Sequence, residues 1–195
     1  MPKIIDHEEK RILIAEAMWR VISIKGMEGA TVRNIAQEAG VSLGALRYYF
    51  SNQDELLVFA MTLVQERVTK RIQAVTIRDL PPKEIVINIL LELVPITDEA
   101  LVEMEVWFAF MAHINHRSEK LPIKSDKIYD VVKDIIHFLN SCALLKPELD
   151  VDLEVERLYS LIDGLAIHAL FDRERINRER ITKTIQYHMD LICVK

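Results

Sequence analysis

A chain of 195 residues that is 50% hydrophobic and 28% charged can bury a sizeable core, which excludes an intrinsically disordered protein. The net charge of −5 is unevenly spread: residues 1–78 hold 11 Lys and Arg against 9 Asp and Glu, and residues 79–195 hold 14 against 21. Any nucleic-acid face therefore lies in the first part, and its weak basicity tells against indiscriminate backbone binding.

Five Gly, six Pro and helically spaced β-branched residues point to an all-α chain of about nine helices. Periodicity begins near His7, with Ile12, Ala15, Met18, Trp19 and Ile22 as an apolar stripe, and stops at Gly26, read as a left-handed C′ residue. Thr31 is placed to cap a short helix over Val32–Ala39, with Ile35, Ala36 and Ala39 facing inward. Gly40-Val41 breaks it, and Ser42 caps the next, Leu43–Tyr49. Two short helices about a tight glycine turn have helix-turn-helix spacing. Asn52 with Glu55 three residues on reads as a capping box opening a long fourth helix toward Val75.

Pro81-Pro82 is the clearest break. Beyond it the spacing predicts helices over 83–94, 98–116, 123–144, 151–172 and 176–193, with a break at Ser118–Pro122 among those between them. The longest apolar stretch, Ile85–Ile96, has only twelve residues, among them Asn88 and Glu92, too few to span a bilayer. Residues 1–11 are charged and lack the apolar segment of a signal peptide. The expectation is a cytoplasmic protein without a membrane partner, whose Cys142 and Cys193 stay as thiols.

Residues 26–57, with a glycine, a cap Thr, an Ile-Ala pair, Ala-Gly-Val-Ser, Tyr-Tyr-Phe and a capped acidic helix start, resemble the TetR family signature. The resemblance covers residues 8–65 in detail and implies a helix-turn-helix DNA-binding domain over 1–53. A long helix 4 joins it to a helical ligand-binding and dimerisation domain over 54–195. The implied function is a ligand-responsive transcriptional regulator, a repressor by family default, that leaves a palindromic operator when a small-molecule inducer binds.

The residue chemistry agrees. Thr31 and Ser42 set helix N-termini that can face phosphate. Leu43, Gly44 and Ala45 open the recognition helix, where Gly44 and Ala45 permit close approach to bases and Leu46 faces the core instead. Arg33 is the candidate reader of a base edge, and Arg47 is left open between base and backbone. Tyr48 and Tyr49 can each direct a hydroxyl at phosphate, or one ring can pack in the core; Phe50 is core. Gln53 stands where family members commonly carry a phosphate-binding Lys, so the contact either weakens or shifts to Lys3, Lys10 or Arg11.

Residues 156–172, with Asp163-Gly164-Leu165, resemble the branch of the family that includes the betaine-synthesis repressor. That implies a homodimer built on the last two helices, and Leu158, Leu161, Gly164, Leu165, His168, Ile181, Ile185 and His188 are the candidates for it, some of which must cover the monomer core. Gly164 within a helix suggests close helix approach. For the inducer, Met104, Trp107, Phe108 and Met111 concentrate polarizable surface, with Tyr129 as a further aromatic; a quaternary ammonium and an acyl chain both fit. His113 and His116 share a helix face without a third metal ligand, and GxSxG, P-loop and GxGxxG motifs are absent, so no cofactor is expected. A helical adaptor and a small helical enzyme are the alternatives.

Overall fold

Local capping chemistry fixes the starts of the second, third and fourth helices. The computed structural model describes residues 7–115 and 127–194, the side chains of 113–115 excepted. Helix α1 (His7–Gly29) buries Ile14, Ala15, Met18, Trp19 and Ile22 along one stripe. It is broken at Gly26, whose φ of 68° and ψ of 179° fall in a region essentially confined to glycine. The positive φ was expected there; the extended ψ differs from a left-handed helical cap and lets one more turn follow. Thr31 Oγ1 then accepts from the Asn34 N–H at 3.2 Å and starts α2 (Val32–Glu38), and Ser42 Oγ accepts from the Ala45 N–H at 3.0 Å and starts α3 (Leu43–Tyr49). Gly40, at φ 64°, makes the turn between them.

Helix α4 (Gln53–Thr76) opens as Asn52 Oδ1 accepts from the Glu55 N–H at 2.8 Å. The return bond of the capping box lands one residue earlier than expected: the Glu55 carboxylate accepts from the Ser51 hydroxyl and N–H, at 2.7 and 2.9 Å. Those two bonds hold its carboxyl below the usual carboxylate range.

The remaining described helices are α5 (Pro82–Glu92), α6 (Asp98–Asn115), α7 (Lys127–Ser141), α8 (Val151–Phe171) and α9 (Arg178–Ile192). Asp150 caps α8 and Asn177 caps α9 through their side-chain oxygens. Helix α7 ends three residues before the periodicity suggests, because Ala143 turns through φ 53° and the N–H groups of Leu144 and Leu145 fold back onto the Leu139 carbonyl. The all-α expectation holds, with a single Leu145–Cys193 β-bridge and no strand among the described residues.

The described residues fall into two compact units. One takes the chain up to Arg67 and α6 from Val102; its core holds Met18, Ile35, Leu46, Phe50, Leu57, Met61, Val106 and Phe110. The other takes Val68–Leu101 and α7–α9, around Leu90, Ile136, Leu139, Leu158, Ile162, Ile181 and Ile185. Helices α4 and α6 thus contribute residues to both. In the second unit the chain end is strapped to the α7–α8 connection: Val194 N–H donates to the Leu144 carbonyl and Lys146 N–H to the Ile192 carbonyl, both at 2.9 Å. Cys193 lies buried in this strap, where burial pushes its thiol up, and Cys142 is exposed; both are free. Lys3, His116 and the 118–122 break lie outside the described residues, as does the His113 side chain.

Candidate nucleic-acid interface

The seven residues of α3 divide sharply by burial. Leu46 is 2% exposed in the core, while Leu43, Gly44, Arg47 and Tyr48 are exposed on the opposite face, Tyr48 to 75%. Ala45 is half-buried. Around Gly44 the nearest atom to a built Cβ would be Ser42 Oγ at 3.9 Å, so nothing shields the backbone there. A short helix that displays a Leu and a Tyr to water leaves apolar surface uncovered, and a thymine methyl is a chemically matched cover. Arg33 on α2, with Thr31 and Ser42 at the two caps, is exposed too.

The structure separates the two tyrosines. Tyr49 is half-buried against the core and Tyr48 stands clear of it. Both rings meet His7 from the first turn of α1, at centroid distances of 5.9 Å (Tyr48) and 5.0 Å (Tyr49). No motif flagged His7, which is 41 residues before Tyr48 in the chain.

Two expected backbone contacts are otherwise engaged. Gln53 Nε2 donates to the Ala30 carbonyl at 2.9 Å, tying the start of α4 to the α1–α2 turn. The Arg11 guanidinium lies over the Phe50 and Phe59 rings, at 4.8 and 4.4 Å, and pairs with Glu55 at 3.3 Å. Lys10 is half-buried.

On α6, Met104, Trp107, Phe108 and Met111 are all half-buried, at the i, i+3, i+4, i+7 spacing of one helix face. Val106 and Phe110 point into the first unit's core and are fully buried. Tyr129 belongs to the second unit, where its ring meets Tyr159 edge-on at 5.4 Å and its hydroxyl bonds Glu156 at 3.3 Å.

Half of the expected dimer residues are core residues of the single chain. Leu158 and Ile185 are 0% exposed, Ile181 1% and Leu165 6%, so they offer a partner no surface. His188 is 7% exposed. Leu161 and Gly164 are half-buried and His168 is exposed. The uncovered stripe of α8 runs instead through Leu153, Arg157, Ser160, Gly164, His168 and Phe171, and Tyr187 and Leu191 are exposed on α9. Both helices carry more apolar residues than one face can hold, and the pattern alone does not tell which face the monomer claims.

Beneath that stripe, the buried Glu154 gives one oxygen to Arg157 at 2.6 Å, and neither its second oxygen nor His188 Nε2 has a partner among the described residues. Burial, and then the Arg157 charge, depress the His188 pKa. The unfolded chain then takes up a proton near pH 6.5 that the folded chain refuses. Folding stability should fall as pH drops below that value, by at most about 1.4 kcal/mol per pH unit, and level off below the folded pKa. The carboxylates with lowered pKa values, Glu55, Asp172 and Glu179, act only at lower pH. Urea unfolding of wild type and His188→Gln over roughly pH 7.5 to 5.5 checks this; parallel curves for the two proteins would refute it.

A capped helix-turn-helix with an exposed α3 face, followed by further helices among the described residues, is the architecture of helix-turn-helix DNA-binding regulators. Residues 14–58 match the model for bacterial regulatory proteins of the tetR family, and residues 82–194 the C-terminal model of BetI-type transcriptional repressors. The chain belongs to the TetR family. It is 55% identical to the HTH-type transcriptional regulator PksA of Bacillus subtilis (strain 168), over 100% of this chain and 95% of that one. It is 26% identical to the HTH-type transcriptional regulator BetI of Vibrio vulnificus, over 97% and 96%. Among solved structures, a Saccharomonospora viridis protein in complex with choline shares the fold at a TM-score of 0.81 and 20% identity, over 96% of this chain and 100% of that one. A TetR transcription regulator from Haloarcula marismortui does so at 0.71 and 24%, over 96% and 100%. Among the described residues no helix is long and apolar enough to cross a membrane.

Proposed function

We propose that the chain is a homodimeric repressor in the cytoplasm that holds a palindromic operator and releases it when a small-molecule inducer binds. The observation that carries the DNA reading is the exposed face of α3, Leu43, Gly44, Arg47 and Tyr48, beside Arg33 on α2. Arg33 reads a base edge, Arg47 and Tyr48 hold the backbone, and Thr31, Ser42 and Gln53 set the angle at which the helices meet the groove. Selection from a random duplex library of about 30 bp, long enough for two half-sites a helical turn apart, supplies the probe. On the selected duplex, Arg33→Ala should weaken binding about 5- to 150-fold and relax one base position. Equal binding of selected and scrambled duplexes would overturn the reading.

One recognition helix covers too few base pairs, so a second copy is needed. The α8 stripe supports this. Gly164 costs about 1 kcal/mol relative to Ala inside a helix, yet a Cβ there meets nothing within 4 Å in the single chain. Close approach by the same helix of a partner gives the glycine its reason. Gly164→Ala should therefore leave the unfolding of the isolated chain unchanged or up to about 1 kcal/mol better, while weakening the dimer in sedimentation. A dimer as tight as wild type would remove Gly164 from the interface.

For the inducer, the half-buried face of α6 offers Met104, Trp107, Phe108 and Met111, surfaces that suit an apolar or π-stacking ligand. The choline in the Saccharomonospora viridis complex is one probe to try, an acyl compound another. A ligand that frees the selected duplex should also quench Trp107 fluorescence, and Trp107→Phe removes that signal. Helix α4, with its first turns in the DNA-facing unit and its last in the other, is the element whose shift would carry the change.

A further inference from the structure

His7 stands outside every motif of the chain, yet its ring meets both tyrosines of the recognition helix. Its centroid lies 5.9 Å from Tyr48 with the planes at 72°, and 5.0 Å from Tyr49 at 48°. The two tyrosines lie 5.2 Å apart at 84°, so three rings close a cluster with each pair in edge-on or tilted contact. Tyr49 is anchored through the core behind it, while Tyr48 is 75% exposed at the last turn of α3. Without a lateral contact such a side chain is free to change rotamer, and ordering it on DNA costs entropy. His7 supplies that contact from a separate helix.

Glu8 and Glu9, both exposed, follow His7 in the first turn of α1, and their charge opposes a DNA backbone there. We propose that His7 is a positioning residue for DNA binding: its ring braces Tyr48 against Tyr49, so that the Tyr48 hydroxyl is held toward a phosphate before DNA arrives. The inference rests on the reading of α3 as the recognition helix with Tyr48 as a backbone contact.

The test uses the full chain and the duplex selected with wild type, and measures affinity and thermal unfolding for four variants. His7→Ala should weaken binding about three- to tenfold, the range an aromatic contact supports, with a melting temperature lowered by no more than roughly a few degrees. His7→Phe, which keeps a ring and loses the imidazole, should restore the affinity. Tyr48→Phe removes the hydroxyl that the brace serves, so adding His7→Ala to it should cost less than twofold further, a non-additivity that a general structural role would not give. Three results overturn the proposal in distinguishable ways. If Tyr48→Phe binds like wild type, the backbone role of Tyr48 fails and the brace with it. If Tyr48→Phe weakens binding and His7→Ala does not, only the brace fails. If His7→Phe is as weak as His7→Ala and wild type alone binds more tightly on acidification, His7 holds DNA by its charge.

Discussion

Ile185→Ala should unfold the second unit far more readily than wild type, and Phe171→Glu should leave its fold alone while splitting the proposed dimer. Both positions lie on the last two helices, and of the two only Ile185 is an interface candidate from the apolar pattern. Ile185 is 0% exposed among Leu158, Ile162, Ile181 and Met189, so truncating it removes buried contacts on every side and leaves a cavity, at about 2–5 kcal/mol. Phe171 is 84% exposed at the end of α8, on the same stripe as Gly164. In a two-fold interface each copy presents the same stripe, so one substitution places two carboxylates in the contact. Loss of an aromatic anchor together with burial of unpaired charge should weaken the dimer by about 2 kcal/mol or more. Urea unfolding read by circular dichroism and sedimentation at several concentrations separate the two effects. A monomeric, fully stable Ile185→Ala protein, or a Phe171→Glu protein that remains dimeric, would reverse the assignment.

Helix boundaries in the first 57 residues were legible because single side chains set them. Thr31, Ser42 and Asn52 each bond the backbone three residues on, and glycines 26 and 40 occupy positive φ. Such bonds are local, and a local bond is written in local sequence. Partnerships across the fold were not legible. The seat of Arg11 over the Phe50 and Phe59 rings and that of His7 on the two tyrosines both depend on how α1 lies against α3 and α4. The same limit explains α8 and α9. A helix rich in apolar residues on two faces does not announce which one the monomer buries, and only the exposure of Leu153 and Phe171 beside the burial of Leu158 and Leu165 tells them apart. Residues 104, 107, 108 and 111 show an intermediate case: the sequence shows them as a concentration of polarizable surface, and the structure puts them on one half-covered face.

The Tyr48-Tyr49-Phe50 triplet makes the distinction sharpest, because three adjacent aromatics do three different things. Phe50→Ala should destabilise the first unit by about 3–5 kcal/mol, the range for emptying a buried phenylalanine site. Phe50 is 1% exposed, packs 5.4 Å from the Phe59 ring and offers its face to the Arg11 guanidinium. Arg11 in turn pairs with Glu55, and Glu55 holds Ser51 at the entrance to α4, so the cavity would also loosen the joint between α3 and α4. Against a domain stability of about 5–15 kcal/mol, that loss leaves a marginal unit. Its unfolding, followed through Trp19 in the same core, should occur at lower urea, and DNA binding should fail at temperatures where the unit has melted. At a temperature where the variant remains folded, its affinity for the selected duplex should lie within a few-fold of wild type, because Phe50 presents nothing to DNA. A Phe50→Ala protein with wild-type unfolding and no DNA binding would show that the ring belongs to the recognition face, and the division of the triplet into hydroxyl, brace and core would have to be redrawn.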